Sequence, residues 1–295
     1  MAPADPAGRR LLMVQEKAKI LLHRKIARDH YRMRLKAPSA ARGARPGQFI
    51  HIRCREESPY DPLLRRPISL VDVDPTGGTL DIVYKVMGLG TRALAQMPEG
   101  SKADFIGPLG KPFAFPPKGK RAVLIGGGVG IPPLVFLAKE LLKKKIKATA
   151  FLGARTKEWV ICRDDFRKLG VPVHVATDDG TLGFHGSVVD RAAESGRVAP
   201  ATRHFLGSRD SAASVAGDLV FYICGPTGMM KAAAALARRR GIPAQVSLEE
   251  RMGCAMGCCM GCVVEVNTEP VGSHARFQRV CTEGPVFPAE AVLWR

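Results

Sequence analysis

The feature that most constrains this chain is a cysteine-rich loop near its C-terminal end. It reads Cys254-Ala-Met-Gly-Cys258-Cys259-Met-Gly-Cys262, and Cys281 follows in the segment Arg-Val-Cys-Thr-Glu-Gly-Pro. Cys254, Cys259 and Cys262 have the spacing C-x4-C-x2-C, and a distant fourth cysteine completes the ligand pattern of a plant-type [2Fe–2S] centre. Glycines let such a loop wrap closely around a cluster, so the loop predicts a one-electron carrier.

Two other interpretations of this loop stay open. Structural zinc sites usually pair two C-x2-4-C units, whereas these cysteines share one loop and the fourth is solitary. The thiols could also be buried without any ligand. Cys258 offers a second spacing, C-x3-C-x3-C, but the x4/x2 spacing uses its neighbour Cys259, so we expect Cys258 to be a bystander.

Composition indicates a globular protein of the cytoplasm. The 295 residues, with 46% hydrophobic content, suffice for two domains and a small third. We expect no membrane span, because no apolar run approaches about 18 residues. Residues Met1 to Val14 lack the apolar core of a secretion signal. Five of the eight cysteines lie between positions 254 and 281, which favours a bound cofactor over disulfides.

The net charge of +18 raises the question of nucleic-acid binding. The basic residues are scattered, however, and their short runs, Lys143 to Lys145 and Arg238 to Arg240, each follow a helix-like segment. We interpret these runs as solvated helix ends that face the negative end of the helix dipole. A docking face for an acidic protein is the alternative, and we expect no nucleic-acid partner.

The first third of the chain has the pattern of a small antiparallel barrel. Short extended runs follow one another from Lys17 to Val86. His51 to Cys54 comes after the turn Pro46-Gly47, and Leu80 to Val86 alternates polar and apolar residues after Thr76-Gly77-Gly78.

From Arg121 the pattern changes to a parallel α/β sheet. The apolar run Ala122 to Ile125 precedes a glycine turn, a helical stretch from Pro132 to Lys145 and a second apolar run, Ala148 to Gly153. Leu219 to Pro226 predicts another buried strand, followed by a helix from Thr227 to Arg239. We expect a barrel domain over residues 1–117, an α/β domain over 118–245 and a cluster-binding module over 246–295.

Two glycine turns are candidate ligand sites. Residues 126–130 lie between a strand and a helix, where the backbone can approach a pyrophosphate. The pattern is not G-x-G-x-x-G, so a tight turn that only packs the helix on the sheet is an equally good interpretation. Gly88-Leu89-Gly90-Thr91 has the same ambiguity. The segment Arg66-Pro67-Ile68-Ser69 makes the prediction of a phosphate-binding site more specific, because a guanidinium can pair with two phosphate oxygens.

Together these motifs resemble the ferredoxin reductase superfamily, which joins a flavin barrel to a nicotinamide domain. The resemblance covers nearly the whole chain. Three segments narrow the resemblance to one group within this superfamily: Ser247-Leu-Glu-Glu-Arg-Met-Gly-Cys254, the cluster loop and Arg279-Val-Cys-Thr-Glu-Gly-Pro285. They are similar to the electron-transfer subunits of type 1B dihydroorotate dehydrogenases.

The resemblance implies a set of cofactor-binding residues. Four would hold the FAD phosphates and flavin edge: Arg66, Pro67, Ile68 and Ser69. Five more would line the FAD or clasp its diphosphate: Val83, Tyr84, Lys85, Gly90 and Thr91. Seven would frame the nicotinamide nucleotide, with Cys224 near the flavin ring: Gly126, Gly127, Gly128, Gly130, Cys224, Gly225 and Pro226. Four would bind the [2Fe–2S] cluster: Cys254, Cys259, Cys262 and Cys281.

The resemblance also implies a division of labour with no catalytic acid or base on this chain. A partner catalytic subunit carrying FMN would oxidise dihydroorotate, and this chain would pass single electrons through the cluster to FAD and a hydride to NAD+. The implied assembly is a heterotetramer with two copies of each subunit. Arg155 and Lys157 follow the second nucleotide strand, so NADP stays open beside NAD.

Three other functions are alternatives to this electron-transfer role. The first is a flavin and iron–sulfur subunit of a sulfhydrogenase. Such subunits keep cysteine ligands, so they are hard to distinguish by sequence from the dihydroorotate dehydrogenase subunits. In a bifurcating oxidoreductase the first cluster ligand is commonly aspartate, and Cys254 argues against that type. A zinc-stabilised binding module without redox chemistry is the third.

Overall fold

The computed structural model describes residues 13–55, 62–195, 218–267 and 276–294. Over these ranges the chain forms a closed six-stranded barrel, a seven-stranded sheet and a two-stranded hairpin. The fold class expected from the sequence is therefore confirmed. Residues 1–12, most of the segment considered for a secretion signal, lie outside the described ranges.

The barrel strands run antiparallel in the order β1-β2-β5-β4-β3-β6. Their bounds are Val14–Ala27 (β1), His30–Lys36 (β2), Phe49–Ile52 (β3), Arg66–Asp74 (β4), Thr79–Lys85 (β5) and Lys102–Leu109 (β6). Two short helices lie in the connections, α1 (Pro38–Ala41) and α2 (Leu89–Ala95).

Strand β2 shows why these residues form a barrel wall. Its side chains alternate, so that Met33 and Leu35 are buried inside. Arg32 and Arg34 lie on the other face and hold the buried Asp81 of β5, with Nε–Oδ distances of 2.9 Å and 2.6 Å. Because Asp81 is paired on both sides, its burial is compensated.

The second sheet has the order β10-β9-β8-β7-β11-β12-β15, and all of its pairs but the last are parallel. Its strands are β7 (Arg121–Gly127), β8 (Ala148–Ala154), β9 (Val173–Thr177), β10 (Phe184–His185), β11 (Leu219–Cys224), β12 (Ala244–Ser247) and β15 (Val286–Pro288). Its helices are α3 (Ile131–Lys143), α4 (Arg163–Lys168), α5 (Val188–Glu194) and α6 (Thr227–Arg239). Short 3-10 turns occupy Gly128–Gly130 and Lys157–Trp159.

The helices cover both faces of this sheet, so its inner strand β11 is buried along its whole length. Helix α3 packs with the core on one face, and α5 and α6 pack on the other. The basic runs lie at the C-terminal ends of α3 and α6, as the dipole argument predicts.

The C-terminal part of the chain is tied to the second sheet. Strand β15 pairs antiparallel with β12, and the separate hairpin is formed by β13 (Val263–Glu265) and β14 (Phe277–Arg279). The expected boundary between residues 245 and 246 lies inside β12, whereas that between 117 and 118 lies between β6 and β7. The three-domain division itself stays a prediction.

Helix α3 fixes the barrel against the second sheet. Phe136 of this helix packs into the barrel core, and Lys139 pairs with Asp72 of β4 at 2.5 Å. On another side, Arg32 of the barrel pairs with Asp165 of α4 at 2.6 Å. These contacts fix strands β2 and β4 of the barrel against helices α4 and α3.

None of the helices in the described ranges has both the length and the hydropathy needed to cross a lipid bilayer.

Candidate functional site

A cavity of about 700 Å³ lies between the barrel and the carboxyl ends of the parallel strands. Its volume falls within the usual range for cofactor sites. All nine barrel residues expected to bind FAD line it: Arg66, Pro67, Ile68, Ser69, Val83, Tyr84, Lys85, Gly90 and Thr91. The structure thus brings these residues together, and their contacts with a flavin stay predictions.

Arg66 presents a guanidinium that suits a phosphate. Its Nη1 donates only to the main-chain oxygens of Leu64 and Arg65, and it has no carboxylate partner among the described residues. A Cβ atom at Gly90 would lie 2.8 Å from Nε of Arg66. The start of helix α2 therefore lies close against the guanidinium, and a cation without a carboxylate partner among the described residues fits an anionic ligand.

Thr91 shapes the loop that precedes helix α2. Its hydroxyl oxygen accepts hydrogen bonds from the amides of Met87 and Gly88, at 2.8 Å and 3.2 Å. The side chain therefore holds the glycine turn in place from within the chain. A contact between Thr91 and a diphosphate stays a prediction.

The residues of β5 line the cavity next to this loop. Tyr84 is buried, and its hydroxyl group lies 2.8 Å from Nε2 of His23. Lys85 places its ammonium 3.8 Å from the ring centre of Trp159, in cation–π geometry. Burial and the nearby Arg155 lower the pKa of Lys85.

The opposite wall comes from the glycine turns of the second sheet. Gly130, Cys224 and Gly225 line the cavity, whereas Gly126, Gly127, Gly128 and Pro226 do not. A Cβ atom at Gly130 would lie 2.3 Å from the carbonyl carbon of Cys224, so only glycine allows the two turns to touch. Both turns end neighbouring parallel strands, which is where nucleotides bind in such sheets.

Cys224 ends β11 between Gly126 of β7 and Ser247 of β12. Burial raises the pKa of its thiol to about 12, and the carboxylate of Glu249 acts in the same direction. The thiol is therefore protonated at neutral pH. Cys224 is suited to packing against a ligand and not to nucleophilic attack.

Several residues of the cavity had no predicted role. The exposed side chains of Leu64, Met87 and Leu89 line its mouth. The segment 247–252 supplies a further wall, although the resemblance implies no cofactor contact for it. Its place after a buried strand on the carboxyl edge of the sheet was the available signal.

The cysteine loop turns sharply at Ala255, Gly257 and Met260, whose φ values are 56°, 87° and 56°. The positive φ of Gly257 favours glycine, and a Cβ atom there would crowd the side chains of Thr282 and Arg279, at 3.0 Å and 3.1 Å. These turns bring Cys254 and Cys259 together, and Cys262 contacts Cys281. The amide of Val280 donates to the carbonyl oxygen of Cys262 at 2.9 Å and joins the two segments.

Two of the cysteines predicted as ligands, Cys254 and Cys281, differ in acidity. For Cys254, burial opposes ionisation, but hydrogen bonds from the amides of Met256 and Cys259, each at 3.4 Å, bring its pKa down to about 6. Burial and the neighbouring Cys262 raise the pKa of Cys281 to about 12. Metal binding would therefore release a proton from Cys281, as it does for thiol ligands in general.

Arg279 and Glu283 brace this region, although neither was predicted to have a role. Arg279 donates to both carboxylate oxygens of Glu283 and also to the carbonyl oxygen of Gly257, at 2.8 Å. The pairing with Arg279 lowers the pKa of Glu283 to about 2. The spacing Arg-x-x-x-Glu around Cys281 was the signal for this pair.

The donor set fits an iron–sulfur cluster in its chemistry. Cys254 and Cys259 form one thiol pair, and Cys262 and Cys281 form another. The two pairs are close enough for the charge of Cys254 to raise the pKa of Cys281, and the amide of Met256 donates to the Cys254 sulfur. Within the described residues, no three His, Cys, Asp or Glu side chains converge as they would around one metal ion. Cys258 and Cys259 are both exposed, but the Cys259 side chain contacts the Cys254 sulfur, whereas Cys258 donates to that sulfur from its backbone amide.

Family models cover three successive stretches of the chain. Residues 17–113 match the oxidoreductase FAD-binding domain, and residues 124–235 match the oxidoreductase NAD-binding domain. Residues 249–293 match the iron–sulfur cluster binding domain of dihydroorotate dehydrogenase B. FAD, NAD and iron–sulfur sites are thus confirmed as features of the chain.

Solved structures place the chain in the same fold. A structure from a study of an NADH-dependent reduced ferredoxin-NADP oxidoreductase has a TM-score of 0.75 and 33% identity, covering 94% of this chain and 90% of that one. An Amycolatopsis cytochrome P450 reductase, at 23% identity and a TM-score of 0.62, covers 79% of this chain and 68% of its own, and shares the fold.

Curated relatives match over nearly their full length. The dihydroorotate dehydrogenase B (NAD(+)) electron transfer subunit of Desulforamulus reducens is 39% identical over 94% of this chain and 97% of its own. The subunit of the same name from Bacillus caldolyticus is 39% identical over 95% and 98%. The chain therefore belongs to the family of dihydroorotate dehydrogenase B (NAD(+)) electron transfer subunits.

Proposed function

We propose that this chain passes electrons from the FMN of a dihydroorotate dehydrogenase catalytic subunit to NAD+, during the synthesis of UMP. The electrons would travel through a [2Fe–2S] cluster and FAD, both held by this chain. The names of its relatives support the reaction, and the arrangement of the site supports the order of the cofactors.

One observation carries the proposal: Met252 belongs to both sites. Its side chain lines the cavity between the barrel and the sheet, and it packs in one core with Ala255, Cys262 and Cys281. The wall of the proposed flavin site therefore continues directly into the cysteine loop. A flavin and a cluster placed there would be neighbours.

Each residue set has a defined task in this scheme. Arg66 would pair with the FAD diphosphate, and the glycines beside it would let the chain approach closely. Gly130 and Gly225 would let the nicotinamide nucleotide reach the same cavity from the sheet side. Cys254, Cys259, Cys262 and Cys281 would hold the cluster, with Arg279 and Glu283 fixing the loop. The flavin supplies exchange between one-electron and two-electron chemistry when it is bound.

We also infer the setting of the chain. Two copies would assemble with two FMN-containing catalytic subunits in the cytoplasm. The eight cysteines all lie in the described ranges and form no disulfide there, which agrees with a reducing compartment.

NAD is the proposed nucleotide, with NADP as the alternative to test. Arg155 follows β8 directly and is exposed, so it could meet a 2′-phosphate. Rates of flavin reduction by NADH and NADPH, measured on the purified chain, decide between the two.

The decisive experiment is co-purification from native cells, followed by an assay of the complex with dihydroorotate and NAD+. We expect an FMN protein that oxidises dihydroorotate to come with this chain, at equal molar amounts. Recovery of hydrogenase subunits instead would favour a sulfhydrogenase. Purified chain without flavin or iron, but with zinc, would favour the non-redox binding module.

A further inference from the structure

We propose that Trp159 is a positioning residue for the nicotinamide nucleotide: its indole holds the ammonium of Lys85 where the barrel meets the second sheet. This inference rests on the proposed function and extends it to a residue for which no role was predicted.

The side chain of Lys85 reaches from the barrel to the second sheet. Lys85 ends β5 and lines the cavity, and its ammonium lies 3.8 Å from the ring centre of Trp159. Trp159 belongs to the 3-10 turn that follows β8. Because β8 runs parallel to its neighbour β7, this turn lies at the carboxyl edge of the sheet, where nucleotides bind. The ammonium is therefore next to the place proposed for the nicotinamide nucleotide.

The surroundings of this ammonium favour an anionic ligand. Among the described residues, no carboxylate forms an ion pair with Lys85, and the charge of Arg155 acts on it more strongly than that of Asp29. Two cations at one place repel each other, and the negative face of the indole offsets part of that repulsion. A diphosphate is an anion that would bind beside two such cations.

The barrel also fixes the orientation of the indole. His30 is 1% exposed and is the partner of Lys85 in the register of β2 and β5. Its ring meets that of Trp159 edge-on, with 5.9 Å between the ring centres. Arg28 lies 3.7 Å from Glu158, the residue before Trp159. The indole itself carries no charge, so what it supplies is a fixed position for the flexible lysine side chain.

The test measures NADH binding separately from the chemical step. In stopped-flow mixing of FAD-loaded protein, the rate of flavin bleaching at increasing NADH concentration gives a half-saturating concentration and a limiting rate. For Trp159→Leu we expect the half-saturating concentration to rise about fivefold, the order of a cation–π contact. The limiting rate should change by less than about twofold, because only binding is affected. Trp159→Phe keeps an aromatic face and should recover most of the affinity.

A double-mutant cycle shows whether Trp159 acts through Lys85. Lys85→Met removes the cation, so Trp159→Leu should cause little further loss of NADH affinity in that background. Phe115→Leu is the matched control. Phe115 also meets an ammonium, that of Lys144 at 4.9 Å from its ring centre, but it does not line the cavity. This control should bind NADH as wild type does.

Additive losses in the double variant would overturn the proposal, as would wild-type NADH affinity in Trp159→Leu. Trp159→Met takes the place of Trp159→Leu if the latter does not hold FAD. Loss of FAD from both would also overturn the proposal, because it would indicate a structural role. Failure of the proposed function would look different: NADH would not bleach the wild-type protein, or no dihydroorotate-oxidising partner would co-purify.

Discussion

The guanidinium of Arg279 donates two hydrogen bonds to the carboxylate of Glu283, from Nε at 2.9 Å and from Nη2 at 2.6 Å. The pair brackets Cys281, and the remaining Nη1 of Arg279 reaches back to the carbonyl oxygen of Gly257 in the cysteine loop. One guanidinium therefore joins the segment of the remote cysteine to the loop that carries the other three.

Replacing this guanidinium should loosen the cluster and leave the flavin in place. In Arg279→Lys the forked geometry is lost, so the loop is no longer tied at two points. We expect iron to be released faster to a chelator, by about tenfold or more, as for other residues that orient metal ligands. Flavin absorbance of the same sample reports FAD retention.

Arg276→Lys is the matched control, because Arg276 pairs with Glu265 on the same hairpin. Equal iron release from both variants would show that the Arg279 contacts do not matter to the cluster.

The two neighbouring cysteines of the loop should differ in their effect. We expect Cys259→Ser to lose iron while largely keeping FAD, because Cys259 lies against Cys254. Cys258→Ala should keep both. Iron and flavin content per protein measure the outcome, and a bleached Cys258→Ala protein would show that the wrong neighbour was chosen.

Cys281 tests the remote ligand. Its Sγ lies with that of Cys262, far along the chain from the flavin-binding strands. We expect Cys281→Ser to lose the cluster and retain most of its FAD. An unchanged iron-to-flavin ratio would contradict the assignment.

Local patterns predicted much of this fold. The helix from Thr227 to Arg239 was predicted with the bounds that the structure has, and the strand from Leu80 to Val86 is displaced by one residue at each end. Both segments have a strong periodicity, which fixes their type. The nine barrel residues that gather at the cavity were found by motif resemblance.

Contacts between segments far apart in the chain could not be predicted from the sequence. The pairing of Val286 with Ser247 draws the C-terminal segment into the second sheet, and no local pattern encodes a partner so far along the chain. The wall formed by Glu249 and Met252 depends on that pairing. The bond from Arg279 to Gly257 likewise depends on how two loops meet.

Arg66 should govern the affinity for FAD. Arg66→Ala removes a cation that has no carboxylate partner among the described residues, so the loss falls on the ligand and not on an internal ion pair. We expect FAD to bind about tenfold to a hundredfold more weakly, the value of a charge-assisted hydrogen bond. Arg92→Ala, on the exposed side of α2, should bind FAD normally. Equal affinities in a flavin fluorescence titration would refute the role of Arg66.

His51 should make the stability of the barrel depend on pH. It is 1% exposed, and burial together with the charges of Arg65 and Arg66 lowers its pKa from 6.5 to about 4. The unfolded chain therefore binds a proton at a pH where the folded chain does not. Stability must fall as the pH drops from the unfolded pKa towards the folded one, by up to about 3 kcal/mol.

His51→Gln removes this titration while keeping a polar side chain of similar size. We expect the variant to be less stable than wild type near neutral pH. The difference in Tm should shrink on acidification, because only wild type has a histidine that is protonated in the unfolded chain while it stays neutral in the folded chain. Thermal unfolding of the FAD-loaded proteins at about pH 7 and about pH 5 measures it. A Tm difference that stays constant between the two conditions would mean that His51 does not carry the pH dependence.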